Sequence, residues 1–139
     1  MTSEAASKEQ VIRDLAAARR SGDFAAARDL IADDIAWHEP GDAVYSGDHR
    51  GADRVVSLWQ QLAELTGNTF VVEPHEVLVS ESHAAALTRW WAERDGVRVE
   101  GNEIAVYRFV DGKIAEVWFW YDGHDQQAHD AVFSMASRS

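Results

Sequence analysis

The tightest constraint on the fold comes from two dipeptides, Asp95-Gly96 and Asp111-Gly112, which interrupt a long stretch rich in β-branched and aromatic residues. Asp-Gly is typical of two-residue turns whose backbone twist matches that of an antiparallel hairpin. The two turns therefore predict a meander of three long strands, at residues 83–94, 97–110 and 113–121. Because side chains alternate between the faces of each strand, the turns also predict which residues share a face.

The chain before the meander has a helical pattern. Apolar residues recur at helical spacing between residues 8 and 21, and Gly22 follows as a stop signal. Asp23 is placed to cap a second short helix, and an apolar stripe predicts a third helix at about residues 53–65. The other predicted elements are a short strand at 35–38, a fourth strand of the sheet at 70–79 and a terminal helical segment at 125–135. Helices followed by an antiparallel sheet indicate an α+β fold.

Length and charge narrow the class of protein. The chain has 139 residues and no cysteine, which predicts a single domain over residues 1–139, an ordered core at about 8–135, and no disulfide or thiolate metal site. Its 13 Lys and Arg residues against 24 Asp and Glu residues give a net charge of −11, which repels nucleic acid and anionic lipid. No segment has the apolar core of a signal peptide or an apolar run long enough to span a bilayer. We therefore expect a cytoplasmic protein without nucleic-acid or membrane partners.

Regular pairing across the two turns predicts a site on one face of the sheet. It places Thr88 opposite Glu103 and Trp90 opposite Gly101. The face that contains them collects small residues, large aromatic rings and carboxylates, namely Ala86, Thr88, Trp90, Gly101, Glu103, Ala105, Tyr107, Glu116, Trp118, Trp120 and Asp122. This mixture predicts a concave cavity with apolar walls and a few polar groups.

The opposite face of the sheet is expected to carry Trp91, Phe119 and Tyr121. A sheet face that is both apolar and exposed is a liability for a monomer. We therefore expect a homodimer formed through this outer face.

The carboxylates of the inner face are candidate catalytic groups. Burial among indole rings disfavours the charged form of a carboxyl group and raises its pKa toward the range in which a general acid or base works at neutral pH. Glu103 and Asp122 are the first candidates on this ground. The alternative is that either group lies at a strand end, in solvent or paired with an arginine such as Arg89 or Arg94.

His38 and Glu39 end the first predicted strand. The unperturbed pKa of histidine, about 6.5, suits His38 to shuttling a proton. Since neighbouring side chains of a strand point in opposite directions, only one of the two is expected to face the cavity, and the sequence leaves open which one. His124 and His129 are five residues apart, whereas a spacing of four stacks two metal ligands on one helix face, so no metal site is expected.

Several motifs give the chain a family resemblance. They are Trp37-His38-Glu39-Pro40-Gly41, Gly47-Asp48-His49-Arg50-Gly51, the stretch from Tyr107 to Trp118, and Asp122. With them the chain resembles the nuclear transport factor 2-like superfamily, and within it the SnoaL-like polyketide cyclases and the ketosteroid isomerases. The resemblance implies a cone-shaped α+β fold in which N-terminal helices pack on a strongly curved mixed or antiparallel sheet and enclose a pocket.

The resemblance also implies roles for individual residues. Asp122 corresponds to the acid/base aspartate of SnoaL-like cyclases, which close a carbon–carbon bond without metal or cofactor. Glu39 corresponds to the general base of ketosteroid isomerases, whose oxyanion acid aligns with Ala105 and whose first-helix tyrosine has no counterpart. Limonene epoxide hydrolases also end in an aspartate, but the adjacent Arg94 and Asp95 do not reproduce the rest of their triad.

Together these observations predict an acid–base enzyme of cyclase or isomerase type that uses no cofactor or metal and acts on a hydrophobic, oxygenated, polyketide-like small molecule. The alternatives are a non-catalytic small-molecule-binding protein and an epoxide hydrolase. The predicted catalytic residues are Asp122, His38, Glu39 and Glu103. The predicted substrate-contacting residues are Trp37, Tyr45, Trp59, Thr88, Trp90, Tyr107, Trp118 and Trp120.

Overall fold

The computed structural model describes residues 3–121 and 123–134. Its helices are α1 (Ser3–Ser21), α2 (Phe24–Arg28), α3 (Ala52–Leu65) and α4 (Gly123–Val132). Its strands are β1 (Ile31–Glu39), β2 (Gly47–Arg50), β3 (Val71–Val79), β4 (His83–Arg94), β5 (Val97–Val110) and β6 (Lys113–Trp120). They form one open sheet in the order β2-β1-β6-β5-β4-β3, in which β1 and β6 are parallel and the other neighbours antiparallel. The α+β prediction is confirmed, and the sheet is mixed.

The edge of the sheet beyond β1 differs from the prediction. The stretch Gly47–Arg50, which is not among the predicted elements, is strand β2, in which His49 lies opposite Trp37 of β1. Only His49 of this strand is buried, so the stretch carries no apolar alternation that would have revealed it. Strand β1 is longer than the predicted 35–38 because it is paired on both sides, with β2 and with β6.

The two predicted hairpins are present. Asp95 and Gly96 have positive φ angles of 53° and 80°, and Asp111 and Gly112 have 51° and 80°, as the predicted turn type requires. Across the first turn, pairing is regular along the whole of β4 and β5, with Thr88 opposite Glu103. This part of the register prediction is confirmed.

The register across the second turn is wrong beyond the first two residue pairs. Phe109 lies opposite Ile114 as predicted, but Arg108, and not Tyr107, lies opposite Glu116. The shift is a bulge at Ala115, where two consecutive residues, Ile114 and Ala115, are both buried. Because a one-residue slip exchanges the two faces of a strand, every later side chain of β6 points the opposite way from the prediction.

The helices pack on the inner face of the sheet and form one core with it. Trp37 of β1 is at its centre, with its ring centroid 5.5 Å from that of Trp59 on α3 and 4.9 Å from that of Phe119 on β6. All three side chains are buried. In the part of the chain that is described, no helix is long and apolar enough to cross a membrane.

Candidate active site

Glu39 is the last residue of β1 and points toward the interior, on the same side of the strand as Trp37. Its Oε1 accepts a hydrogen bond of 3.0 Å from Nε1 of Trp37, and its Oε2 accepts one of 3.3 Å from the hydroxyl of Tyr121. Burial, together with the negative charge of Glu103, raises the pKa of Glu39 well above its ordinary value. Glu39 is therefore the inward member of the His38–Glu39 pair.

Glu103 lies in the middle of β5, opposite Thr88, and only 6% of it is exposed. Burial raises the pKa of Glu103 to about 7, although its interactions with Tyr121 and Arg19 act to lower it. Two buried carboxyl groups that repel each other cannot both ionise easily. The negative charge of Glu103 therefore favours the neutral form of Glu39.

Two phenols accompany the carboxyl groups. The hydroxyl of Tyr121 binds Glu39 and interacts with Glu103, and Tyr107 lies on the same inner face of β5 as Glu103. Burial, and after it the charge of Glu103, raises the pKa of both phenols. Both hydroxyls are therefore protonated at neutral pH and available as hydrogen-bond donors.

Arg19 brings a positive charge into the same region from the last turn of α1. Its guanidinium carbon lies 5.2 Å from the ring centre of Trp59, 5.7 Å from that of Trp37 and 5.8 Å from that of Phe70. Burial lowers the pKa of Arg19, whereas the charge of Glu103 raises it. The sequence analysis missed this residue, although it follows Leu15 by four positions on the apolar side of the helix.

His129 of α4 covers another part of the interior. It is 2% exposed, and its ring centroid lies 4.5 Å from that of Trp90, 4.6 Å from that of Tyr121 and 4.8 Å from that of Tyr45. Burial lowers the pKa of His129 to about 3, so the ring is neutral. Neither of its nitrogens, nor Nε1 of Trp90, has a hydrogen-bond partner among the described residues. Sequence reasoning missed this position, because it treated His129 only as a candidate metal ligand.

The loop after β1 holds α4 in place. The hydroxyl of Tyr45 donates a hydrogen bond to Asp130, and Nε2 of Gln126 donates one of 3.1 Å to the Tyr45 hydroxyl. Gly41, with a φ of 96°, passes so close to Asp130 and Gln126 that a Cβ atom at this position would collide with both side chains. Tyr45 is fully buried, and its hydroxyl is hydrogen-bonded to residues of α4.

Three predicted site residues lie on the outer face of the sheet. His38 binds Asp48 through Nδ1 (2.7 Å) and Glu116 through Nε2 (2.6 Å), and its ring stacks on Trp118 at 5.8 Å between centroids. The placement of Trp118 and Trp120 beside Glu103 is wrong because of the bulge in β6, which turns both outward. Trp120 is 52% exposed.

The remaining predicted residues fall into two groups. The substrate-contacting candidates that are buried are Trp37, Tyr45, Trp59, Thr88, Trp90 and Tyr107. Asp122 lies outside the described residues, so its predicted catalytic role stays a prediction. Phe119 and Tyr121, expected on the outer face, point inward for the same reason that Trp118 and Trp120 point outward. Within residues 3–121 and 123–134, no cluster of three or more His, Asp or Glu side chains is arranged to hold a metal ion.

Comparisons with known proteins agree with this architecture. The profile of the SnoaL-like domain matches residues 12–117. Bal32a, from a soil-derived mobile gene cassette, is similar in structure with a TM-score of 0.87 and 27% sequence identity, over 94% of this chain and 98% of that one. No curated protein matches the sequence.

Two further solved structures are similar in fold at lower identity. An NTF2-like protein from Burkholderia xenovorans has a TM-score of 0.76 at 18% identity, over 94% of this chain and 98% of that one. A putative polyketide cyclase from Sinorhizobium meliloti has a TM-score of 0.67 at 19% identity, over 80% of this chain and 94% of that one. The order of elements, the mixed sheet and the extent of the profile match lead to one conclusion: this chain belongs to the SnoaL-like domain family within the NTF2-like fold.

Proposed function

We propose that this chain is an acid–base enzyme of cyclase or isomerase type that needs no cofactor and acts on a hydrophobic, oxygenated, polyketide-like molecule. The observation that carries the proposal is the inward-pointing pair of Glu39 and Glu103, which share the Tyr121 hydroxyl and have raised pKa values. Groups of this kind cluster at catalytic sites because an acid or base works best when its pKa lies near the ambient pH. Membership of the SnoaL-like family and the fold it shares with a putative polyketide cyclase are consistent with the proposal.

The different pKa values assign a role to each carboxyl group. Glu103, with a pKa of about 7, is the base that removes a proton from a carbon next to a carbonyl group. The electron pair of that C–H bond moves into the carbonyl group and forms an enolate. Burial and the charge of Glu103 raise the pKa of Glu39 and so favour its neutral form, which donates a hydrogen bond to the enolate oxygen and stabilises the charge that develops there.

The second half of the reaction decides its outcome. In an isomerisation, Glu103 returns its proton to a different carbon of the enolate. In a cyclisation, the enolate carbon attacks a second carbonyl carbon of the same molecule and forms a carbon–carbon bond. The π electrons of that carbonyl group move to its oxygen, which takes the proton from Glu103 and becomes a hydroxyl group. Trp37 and Phe119 line the apolar interior beside the acid pair and keep water away from the enolate.

Exchange of hydrogen for deuterium tests the acid–base step without knowledge of the natural substrate. The probe is 2-tetralone, a bicyclic hydrophobic ketone, incubated in D2O with the protein at about neutral pH. We expect faster deuterium incorporation next to the carbonyl than in buffer, and a loss of about a hundredfold in Glu103→Gln, in line with the contribution of a general base. Glu100→Gln is the matched control, because Glu100 lies on the same strand but is exposed. An equal exchange rate in wild type and Glu103→Gln would contradict the proposal.

A ligand-binding role without catalysis is the second candidate. The polar atoms of Trp90 and His129 that lack partners would favour it, because a bound molecule with hydroxyl or carbonyl groups would satisfy them. In that case the wild-type protein would bind 2-tetralone without accelerating exchange. Opening of an epoxide, the remaining alternative, would instead place labelled solvent oxygen in the product.

We also propose that a second copy of the chain covers the outer face of the sheet. The corrected register brings Leu87, Ile104 and Trp120 into one cross-strand row on this face, and they border a depression of about 430 Å³. Ile104 and Trp120 are 43% and 52% exposed, which is unfavourable for a monomer. Sedimentation velocity should detect a dimer that Trp120→Glu dissociates, and a monomeric wild-type protein would contradict this proposal.

A further inference from the structure

Arg19 is charged, enclosed by aromatic rings and short of hydrogen-bond acceptors. The rings of Trp37, Trp59 and Phe70 lie around its guanidinium at 5.2–5.8 Å. Cation–π attraction stabilises the charge, but it supplies no acceptor for the N–H groups. Among the residues that the structure describes, no oxygen accepts a hydrogen bond from Arg19, and no carboxylate lies within the 4.0 Å of an ion pair. The guanidinium is partly exposed, so its unused donors are open to solvent.

The two glutamates do not take up these donors. Their charges act on Arg19 from a distance, since Glu103 and Glu39 both raise its pKa against the effect of burial. Glu39 already accepts hydrogen bonds from Trp37 and Tyr121 on its two oxygens. Glu103 also interacts with Tyr121. The positive charge of Arg19 thus balances the negative charge of the acid pair, although Arg19 makes no hydrogen bond to either glutamate.

Arg19 also lines two small cavities. One, of about 20 Å³, is lined by Arg19 with Trp59 and Phe70. The other, of about 10 Å³, is lined by Arg19 with Glu103 and Tyr107. Each is comparable to the space of a single water molecule. An oxygen atom next to the guanidinium fits such a space, and the cavity beside Glu103 connects that position with the proposed base.

We propose that Arg19 is a specificity-determining residue that binds a carboxylate group of the ligand, so that the molecules this site accepts are hydrophobic organic acids. A guanidinium pairs with a carboxylate through two parallel N–H···O bonds, which fixes the orientation of the ligand as well as attracting its charge. This inference rests on the proposed function only in using the same interior as the ligand site.

Binding of small carboxylates and their amides tests the assignment. Benzoate and acetate are compared with benzamide and acetamide, which have nearly the same shape but no charge. Tryptophan fluorescence reports binding, because Trp37 and Trp59 contact Arg19. We expect at least one carboxylate to bind the wild-type protein about tenfold more tightly than its amide, and this preference to disappear in Arg19→Gln.

Arg98→Gln is the matched control. Arg98 is exposed, lies over Trp91 and lines neither of the two cavities, so the same loss of charge there should leave the preference unchanged. Arg19→Lys keeps the charge but not the paired donors, and should show a reduced preference. If Arg19→Gln does not fold, two other measurements test the inference. They are the carboxylate preference of the lysine variant and the NMR signal of the Arg19 Nε–H group in the wild-type protein, which benzoate should shift and benzamide should not.

The outcomes separate this inference from the proposed function. The inference fails if no carboxylate binds the wild-type protein more tightly than its amide, or if Arg19→Gln retains the preference. Neither result depends on turnover. The proposed function, in contrast, fails if Glu103→Gln exchanges deuterium as fast as the wild type, and this result does not involve the carboxylate preference.

Discussion

Gly101 lies directly opposite Trp90 in the pairing of β4 and β5, and the indole ring of Trp90 covers it. A Cβ atom at position 101 would lie 2.9 Å from Cζ2 of that ring and 3.0 Å from Nε1. The absence of a side chain at Gly101 therefore allows the indole to lie against the strand. From there it reaches His129 of α4, 4.5 Å away between ring centroids. One glycine thus sets the position of a wall of the interior.

Gly101→Ala should destabilise the protein by about 1–3 kcal/mol, because a fully buried indole has to move to admit the new methyl group. Urea unfolding followed by circular dichroism measures the change. Asn102→Ala is the control, since Asn102 is its exposed neighbour on the same strand. A loss of less than about 0.5 kcal/mol for Gly101→Ala would mean that Trp90 has room to shift, and that the close approach does not constrain it.

The relationship between Gly101 and Trp90 could be predicted from the sequence, whereas that between Tyr121 and Glu39 could not. The turn at Asp95-Gly96 fixes the pairing of β4 with β5, and no irregularity interrupts it. In β6, local sequence favours continuous alternation from Lys113 onward. The bulge at Ala115 depends on the neighbouring strand β1, which pairs in parallel with β6 and is remote in sequence.

The candidate site was predictable to a similar extent. Glu39 and Glu103 followed from the strand pattern and from the resemblance, and both point into the interior, where Glu103 is buried and Glu39 is partly buried. Arg19 and His129 were missed because charged and titratable residues on helices are usually exposed. Only the packing of α1 and α4 against the sheet places these two side chains among aromatic rings.

Tyr121→Phe should raise the pKa values of both carboxyl groups further. The Tyr121 hydroxyl donates a hydrogen bond to Glu39 and interacts with Glu103, and both interactions stabilise the ionised carboxylates. The pH dependence of deuterium exchange from 2-tetralone, which should rise through about pH 7 in the wild type, is therefore expected to move to higher pH in the variant. Tyr107→Phe is the control, because Tyr107 is also buried but makes no hydrogen bond to either glutamate in the described part of the chain. An unchanged profile in Tyr121→Phe would show that the hydroxyl does not influence the acid pair.

Glu103→Gln should make the protein more stable at alkaline pH even though it removes the proposed base. The pKa of Glu103 is about 7 in the folded protein and close to 4.5 in an unfolded chain, so the folded state binds more protons between these values. The stability that the neutral carboxyl group contributes is fully present below the pKa of the unfolded chain. It is lost as the pH rises through the pKa of the folded protein, by at most about 1.4 kcal/mol per pH unit.

An uncharged glutamine does not suffer this loss. The difference in unfolding free energy between Glu103→Gln and wild type should therefore shift in favour of the variant between about pH 5 and about pH 8. Glu100→Gln, which alters an exposed carboxylate, should show no such shift. The opposite trend for Glu103→Gln would mean that Arg19 holds the pKa of Glu103 below its value in the unfolded chain.

His38→Gln should destabilise the protein more at acidic than at alkaline pH. Burial acts to lower the pKa of His38, but hydrogen bonds to Asp48 and Glu116 outweigh it and raise the pKa above its ordinary value. The stabilisation by the charged ring is thus complete below a pH of about 6.5, the pKa of histidine in an unfolded chain, and is lost as the pH rises through the higher folded value. Because the cluster is partly exposed and screened by solvent, we expect a difference of about 1 kcal/mol or less between the two pH ranges. Urea unfolding at about pH 5.5 and about pH 9 measures it, with His75→Gln as the control because His75 is exposed.

Arg108 donates a hydrogen bond of 3.1 Å to the other oxygen of Glu116, and His83 stacks on the far side of the cluster through Trp118. These neighbours remain in the variant, so an effect that is equal at both pH values would mean that the imidazole is neutral and acts only by packing.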